Sequence, residues 1–224
     1  NSANDLVEKL QISKEKVRVI YNSLPKKWES SIINEIPIEL KDFLRERRYF
    51  LYVGNHKLHK NIPFLLKAFS NLKIKNEHIS LVLTGESKRF DRLISSLSLN
   101  SDVYFLGKIN LEVLRSIYSN AHALVLPSLY EGFGLPALEA MSLGIPPIVS
   151  DAGSLPEVVA DAGIVFPVSD MQALERGMIR IIKDDNLRNN LSKKCLDRAA
   201  CFSILQSARQ TLSSYSDAIE NYKG

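Results

Sequence analysis

Residues Pro127–Glu139 read P-S-L-Y-E-G-F-G-L-P-A-L-E. The largely apolar run before them, Ala121–Leu126, predicts a buried strand. Ala137–Leu143 predicts a short helix, stopped by Gly144 with Pro146 just beyond, and Pro136 suits the first helical position. A strand, a glycine-punctuated loop and a helix N-terminus in succession place unpaired N–H groups and the positive end of a helix dipole at the carboxyl edge of a sheet. Such a spot favours an anion, most often a phosphate. Glu131 lies in the loop and Glu139 one turn into the helix. Two carboxylates repel a phosphate unless they face hydroxyl groups, and a nucleotide sugar offers both parts. The plain alternative is a loop with two glycines before an amphipathic helix whose glutamates face water. The segment alone leaves both readings open.

Outward from this stretch the chain alternates. Strands are predicted at Tyr49–Val53, Ile79–Thr84, Val103–Leu106, Ile145–Ser150 and Gly163–Phe166. Helices are predicted at Ile62–Leu72, Phe90–Leu97 and Leu111–Tyr118, in a turn after Ser154, and at Met171–Ile182, Leu187–Ala199 and Ser203–Tyr222. Short apolar strands alternating with helices of this length mean an α/β fold, a Rossmann-like doubly wound parallel sheet. Nearer the start, Asn4–Leu10 predicts a helix capped by Asn4, Lys16–Tyr21 a strand, and Asn22–Pro25 a turn. Lys26–Pro37 reads as a surface connection and Ile38–Arg48 as a charged helix.

Composition narrows the class. With 224 residues, 45% apolar and 24% charged, the chain suits one α/β domain plus an appendage. A formal net charge of +4, without an arginine-rich run, argues for solubility rather than nucleic-acid binding. No apolar run is long enough to span a bilayer. Cys195 and Cys201 have no zinc or redox spacing and read as reduced thiols of a cytoplasmic protein. The start, Asn1-Ser2-Ala3, lacks a methionine and suggests a piece of a longer polypeptide. There is no G-x-G-x-x-G, no Walker loop, no D-x-D pair and no His/Cys cluster with metal spacing. A metal-free site without a cofactor is expected.

Three more turns follow strands. Gly54–Asn61, G-N-H-K-L-H-K-N, leads into a helix and can cradle a phosphate, with Lys60 adding a point charge. Its alternative is a solvated lysine among surface histidines. Thr84-Gly85-Glu86 is a weak signal that a strand-ending glycine explains as well. Leu106-Gly107-Lys108-Ile109 is a βα turn.

The order Glu131-Gly132-Phe133-Gly134-Leu135-Pro136, with Glu139 in register, resembles the E-x7-E signature of family 4 glycosyltransferases, retaining enzymes of the GT-B fold. Gly54 and Lys60 fit that family's G-R-L-x-x-x-K-G loop, with Asn55 where its arginine stands, and His56, Lys57 or His59 as substitutes for that charge. Ser150–Glu157, S-D-A-G-S-L-P-E, matches too, beside the sugar pocket or as a helix start capped at Ser154.

The resemblance covers nearly the whole chain, although Ile204 replaces a tryptophan common in the closing helix. It implies residues 1–25 as the end of an N-terminal domain and linker, 26–202 as a nucleotide-sugar-binding domain, and 203–224 as a helix packing on the absent N-terminal domain. Glu131 would face the donor hexose near the reacting carbon. Gly132, Phe133, Gly134 and Leu135 would line the sugar and phosphate, with N–H groups from the last three. Glu139 would take the ribose hydroxyls. Gly54, Asn55, Lys60 and Gly85 would line the donor, with Lys108 and Ile109 on the base side.

The implied enzyme moves a hexose from a UDP- or GDP-linked donor to a glycan or lipid-linked acceptor, in cell-surface polysaccharide or lipopolysaccharide synthesis. It would be cytoplasmic, with the inner membrane face as a place for peripheral association, and the isolated piece would be inactive. The rivals are a nucleotide-sugar-binding module and an epimerase or phosphorylase on the same fold. Glu131 is the strongest acid/base candidate for the former, and no pyridoxal-lysine motif marks the latter.

Overall fold

The computed structural model describes residues 2–28, 48–73 and 79–222. Six parallel strands form one sheet: β1 Arg48–Tyr52, β2 Ile79–Leu83, β3 Val103–Phe105, β4 Ala123–Leu126, β5 Pro147–Ser150 and β6 Ile164–Phe166. Their order is β3-β2-β1-β4-β5-β6. Leu51 pairs with Val82 on one side and Leu124 on the other. The strands β2, β4 and β5 are buried along their whole length, so they are mostly apolar rather than alternating, with Ser80 and Ser150 as buried polar exceptions.

The helices are α1 Ser2–Leu10, α2 Ile62–Lys73, α3 Asp91–Ser96, α4 Leu111–Asn120, α5 Leu135–Ser142, α6 Leu155–Val159, α7 Met171–Lys183, α8 Asp185–Ala200 and α9 Ile204–Tyr222. Asn110, Asp170 and Asp184 cap α4, α7 and α8 by accepting from the N–H three residues on. Gly177 lets α7 lie close on the sheet: a Cβ there would sit 3.3 Å from Ile164 and 3.4 Å from Ile148.

The N-terminal part departs from the sequence expectation. The first helix begins at Ser2, so Asn4 lies inside it rather than capping it. Lys16 belongs to a 3-10 turn, Lys14–Lys16, and residues 17–21 form no strand. Among the described residues their β-branched side chains have no neighbouring strand to pair with, and propensity without a partner is weak. The segment leans on α9 instead: Ser207 Oγ donates to Tyr21 O (2.6 Å) and Arg18 pairs with Asp217 (2.6 Å). Lys26–Trp28 is a 3-10 turn with Trp28 buried, so that part of the expected surface connection goes inward. The indole needs cover for its ring and an acceptor for its N–H; it finds Tyr118 edge-on and Ser142 Oγ at 2.7 Å. Residues 29–37 and 38–47 of the expected connection and charged helix lie outside the described residues, and Arg48 opens β1.

The order 3-2-1-4-5-6 reverses between β1 and β4. Crossovers on opposite sides leave a crevice at that point, outside the carboxyl ends of the two strands, where doubly wound sheets bind ligands. The two loops that meet there are Gly54–Asn61 and Pro127–Gly134.

Candidate active site at the switch of the sheet

Two side chains 71 positions apart in sequence meet across that crevice. Lys60 Nζ lies 2.5 Å from Glu131 Oε1. Their side chains are only 15% and 10% exposed, so water screens the pair weakly. Lys60 closes a 3-10 turn, Leu58–Lys60, that Asn61 ends in the left-handed region (φ 56°) before α2 begins. The loops are also tied by backbone: Leu129 N–H donates to His59 O at 2.7 Å. Ser128 Oγ donates to the same Glu131 oxygen at 2.9 Å. Glu131 thus points inward from a loop whose neighbours Leu129, Tyr130 and Gly132 are exposed. Tyr52, beneath Gly54, donates its hydroxyl to Asn55 O (2.8 Å), and burial with the nearby Glu131 charge raises its pKa.

Glu139 has a different holder. Its Oε2 accepts from Tyr118 OH at 2.7 Å. Burial raises the carboxyl pKa of Glu139 above its ordinary value, while the Tyr118 hydrogen bond pulls it down. Burial, helped by the Glu139 charge and this hydrogen bond, holds the Tyr118 hydroxyl well above its own range. Ser142 Oγ donates to Glu139 O (2.7 Å) and accepts from Trp28, which also packs on Tyr118. This part of α5 is therefore fixed on two sides.

The rest of the loop forms a helix start. Gly134 has φ +90° and a Cβ there would lie 2.6 Å from Leu155 Cδ2, so only glycine fits. Leu135 is the first helical residue and Pro136 the second, one place later than expected. Among the described residues, the N–H groups of Phe133, Gly134 and Leu135 donate to no backbone or side-chain acceptor. They are left unpaired, as at any helix start. The Phe133 ring turns away and packs between Tyr21 and Phe202, at 6.4 and 5.7 Å.

Other expected residues fall further out. Gly54 N–H donates to Thr84 Oγ1 (3.1 Å), tying the loops after β1 and β2. Asn55 supplies no charge, and its Oδ1 accepts from Lys57 N. The His56 ring is boxed in by Phe90 and Phe105, with Nε2 on Thr84 O at 2.7 Å. An unforeseen cation reaches this loop: Arg89 Nη1 donates to His56 O (2.8 Å). Gly85 bonds through its backbone with Gly107 and lies under His56. Exposed Lys108 and half-buried Ile109 follow β3 at the outer edge of the sheet, two strand spacings, or about 10 Å, from β1.

Sequence reasoning missed Ser128, Tyr118 and Trp28. The lone tryptophan was a usable signal; a serine beside a loop and a tyrosine in a helix carry none. Ser154 does not cap α6 as expected. Its backbone is helical (φ −87°, ψ −3°) and its hydroxyl donates to Glu131 O at 3.2 Å.

The arrangement offers a cation with a carboxylate beside it, free N–H groups at a helix start, and a second carboxylate fixed by a phenol. It can hold an anion next to hydroxyl groups. Among the described residues no cluster of three or more His, Cys, Asp or Glu is placed to hold a metal ion, and no helix is long and apolar enough to cross a membrane.

Comparison with known proteins agrees with this fold. The family model "Glycosyl transferases group 1" matches residues 38–197. The chain is 35% identical over 185 residues to the O-antigen chain mannosyltransferase B of Escherichia coli, covering 80% of this chain and 49% of that protein. Among solved structures, it superposes on sucrose-phosphate synthase of Thermosynechococcus elongatus with a TM-score of 0.81, 26% identity, and coverage of 99% of this chain and 57% of that one. It superposes on Anabaena Alr3699/HepE, solved with UDP and glucose, with a TM-score of 0.83, 18% identity, and coverage of 96% and 61%. The chain spans about half the length of the curated relatives it matches.

Proposed function

Because this chain belongs to the group 1 glycosyl transferases, we propose that it is the donor-binding part, the C-terminal half, of a retaining hexosyltransferase of family 4. Its donor is a nucleoside diphosphate sugar, and its product a cell-surface polysaccharide or lipopolysaccharide. The observation that carries the reading is the Lys60–Glu131 pair, which sets a phosphate-seeking cation and a hydroxyl-facing carboxylate side by side at the switch of the sheet. The naming of one relative as an O-antigen mannosyltransferase supports a hexose such as mannose, and the UDP in a structural neighbour supports the nucleotide.

In this mechanism the bond from the anomeric carbon to the diphosphate oxygen breaks, and its electron pair stays on the leaving oxygen. Lys60 and the N–H groups at the start of α5 stabilise that growing negative charge. The carboxylate of Glu131 stabilises the positive charge growing on the sugar ring. Glu139 holds the ribose with the oxygen not taken by Tyr118. The acceptor hydroxyl, a group of a glycan or lipid-linked saccharide, forms the new bond on the face that the diphosphate leaves, and its proton passes to the departing diphosphate. No metal is required for these steps, and the enzyme works in the cytoplasm, at the inner face of the membrane where the acceptor is lipid-borne.

Titration calorimetry of this chain in chelator, with GDP, UDP and their hexose conjugates, tests the reading. Binding without divalent metal is expected. Binding that needs Mg²⁺ or Mn²⁺ overturns the metal-free mechanism, and no binding of any nucleotide overturns the donor site. The chain alone is expected to transfer no sugar, since in this reading the crevice is closed against water by a separate acceptor-holding half.

A further inference from the structure

The turn after β5 touches the loop after β4 at three points. Ser150 Oγ donates to Ser128 O at 2.5 Å, and both serines are fully buried. Ser154, 7% exposed, donates to Glu131 O from both its N–H and its hydroxyl, each at 3.2 Å. Leu155 packs against Gly134. Between these contacts Gly153, with φ +61°, lies so near that a Cβ would sit 2.3 Å from Glu131 O and 2.8 Å from Glu131 N. No side chain fits there.

We propose that Gly153 and Ser154 are positioning residues for Glu131, holding its backbone so that the carboxylate meets the donor hexose. The inference rests on the reading of Glu131 given above. Leu129 and Tyr130, just before Glu131, are about half exposed, and within the loop Ser128 Oγ holds the carboxylate at 2.9 Å. Lys60 is the nearest holder of the Glu131 carboxylate. A diphosphate competes for that lysine. Once Lys60 turns to the phosphate, the contacts that remain on Glu131 are Ser128 at its carboxylate and Gly153–Ser154 at its backbone. A reacting group loose by 1 Å loses most of its effect, so such supporting contacts decide whether it acts.

The test is calorimetry on this chain with GDP and GDP-mannose, and with UDP and UDP-glucose. For the base that binds, the ratio of the two dissociation constants reports the hexose contact. Ser154→Ala, Gly153→Ala and Glu131→Gln are compared with the parent. Ser154→Ala keeps the backbone N–H bond and is the variant that stays folded. The expected result is a ratio shifted at least threefold by Ser154→Ala and more by Gly153→Ala, with the diphosphate constant within twofold of the parent. Glu131→Gln shifts the ratio in the same sense, and adding Ser154→Ala to it changes nothing further, because the serine acts through the glutamate. A parent-like ratio in both turn variants, beside a shifted one in Glu131→Gln, overturns the positioning role. So do equal losses for diphosphate and sugar conjugate, which mark general destabilisation. A parent-like ratio in Glu131→Gln instead overturns the hexose-facing reading of Glu131, whatever the turn variants do.

Discussion

Tyr118 OH donates to Glu139 Oε2 at 2.7 Å, joining a fully buried phenol to a carboxyl that burial drives toward its neutral form. A binding site that needs this carboxylate charged therefore works against the stability of its own fold. This is the usual relation between active sites and folding.

The first prediction is a pH-dependent gain from removing that charge. The carboxyl pKa of Glu139 is higher folded than unfolded. Between the ordinary value and the raised one, the folded chain keeps a proton that the unfolded chain has released. Stability therefore falls as pH rises through that window. Glu139→Gln keeps an acceptor for Tyr118 and cannot ionise. Its melting temperature should exceed the parent's at pH 7.5 and converge with it below about pH 4, each pKa unit of elevation corresponding to about 1.4 kcal/mol. Scanning calorimetry at several pH values measures this, and equal melting temperatures throughout would falsify it.

The second concerns Lys60. Lys60→Ala should weaken nucleoside diphosphate binding by about 1.5–3 kcal/mol, the worth of a charge-assisted hydrogen bond, and leave nucleoside binding unchanged. It also strands Glu131 with Ser128 as its remaining side-chain partner, and should cost about 1–3 kcal/mol of stability. Lys60→Ala combined with Glu131→Gln should recover part of that loss. A strictly additive double variant means that the two side chains are not coupled.

The third separates the two glutamates in a full-length enzyme. Glu131→Gln should mainly lower kcat, because its contact strengthens as charge grows on the sugar. Glu139→Gln should mainly raise the donor KM, because the ribose does not react. Steady-state kinetics with varied donor distinguishes them; the reverse pattern exchanges their roles.

The fourth lies at the amino ends of the strands, just before β4. Burial, then Arg188 and Arg48, push the pKa of His122 down to about 4, with Asp185 opposing them. Its Nδ1 is buried with no hydrogen-bond partner among the described residues. Folded, it binds fewer protons than unfolded between pH 6.5 and about 4, so stability falls as pH drops through that range. The ceiling is about 3 kcal/mol, and of order 1 kcal/mol once solvent screening at this half-open position is allowed. His122→Leu should shift the acid-unfolding midpoint downward while leaving stability at pH 7.5 equal or higher. An unchanged midpoint rules His122 out as the acid-sensitive group.

Much of the fold was legible because its signals are local. Apolar runs such as Ala123–Leu126 and Ile79–Leu83, each followed by a turn and a helix, reveal a parallel sheet without any long-range knowledge. The same reasoning failed at Lys16–Tyr21, where β-branched residues occur without a strand to join. It also failed at Trp28, whose burial depends on Tyr118 and Ser142, both far along the chain.

Local sequence fixes which chemical groups this protein carries and the turn each one follows, since a glycine, a proline or an apolar run acts on the few residues beside it. It puts Lys60 at the end of one loop, Glu131 in another, and Glu139 in the helix that follows. What each group faces depends on the folded core. Strand order brought Lys60 within 2.5 Å of Glu131. Packing set Tyr118 on Glu139 and boxed His56 between two phenylalanines. It also turned Ser154 from a helix cap into a holder of the Glu131 carbonyl. A local pattern fixes backbone conformation over a few residues, whereas the partner of a buried charge or hydroxyl depends on which distant segment the closed core leaves beside it.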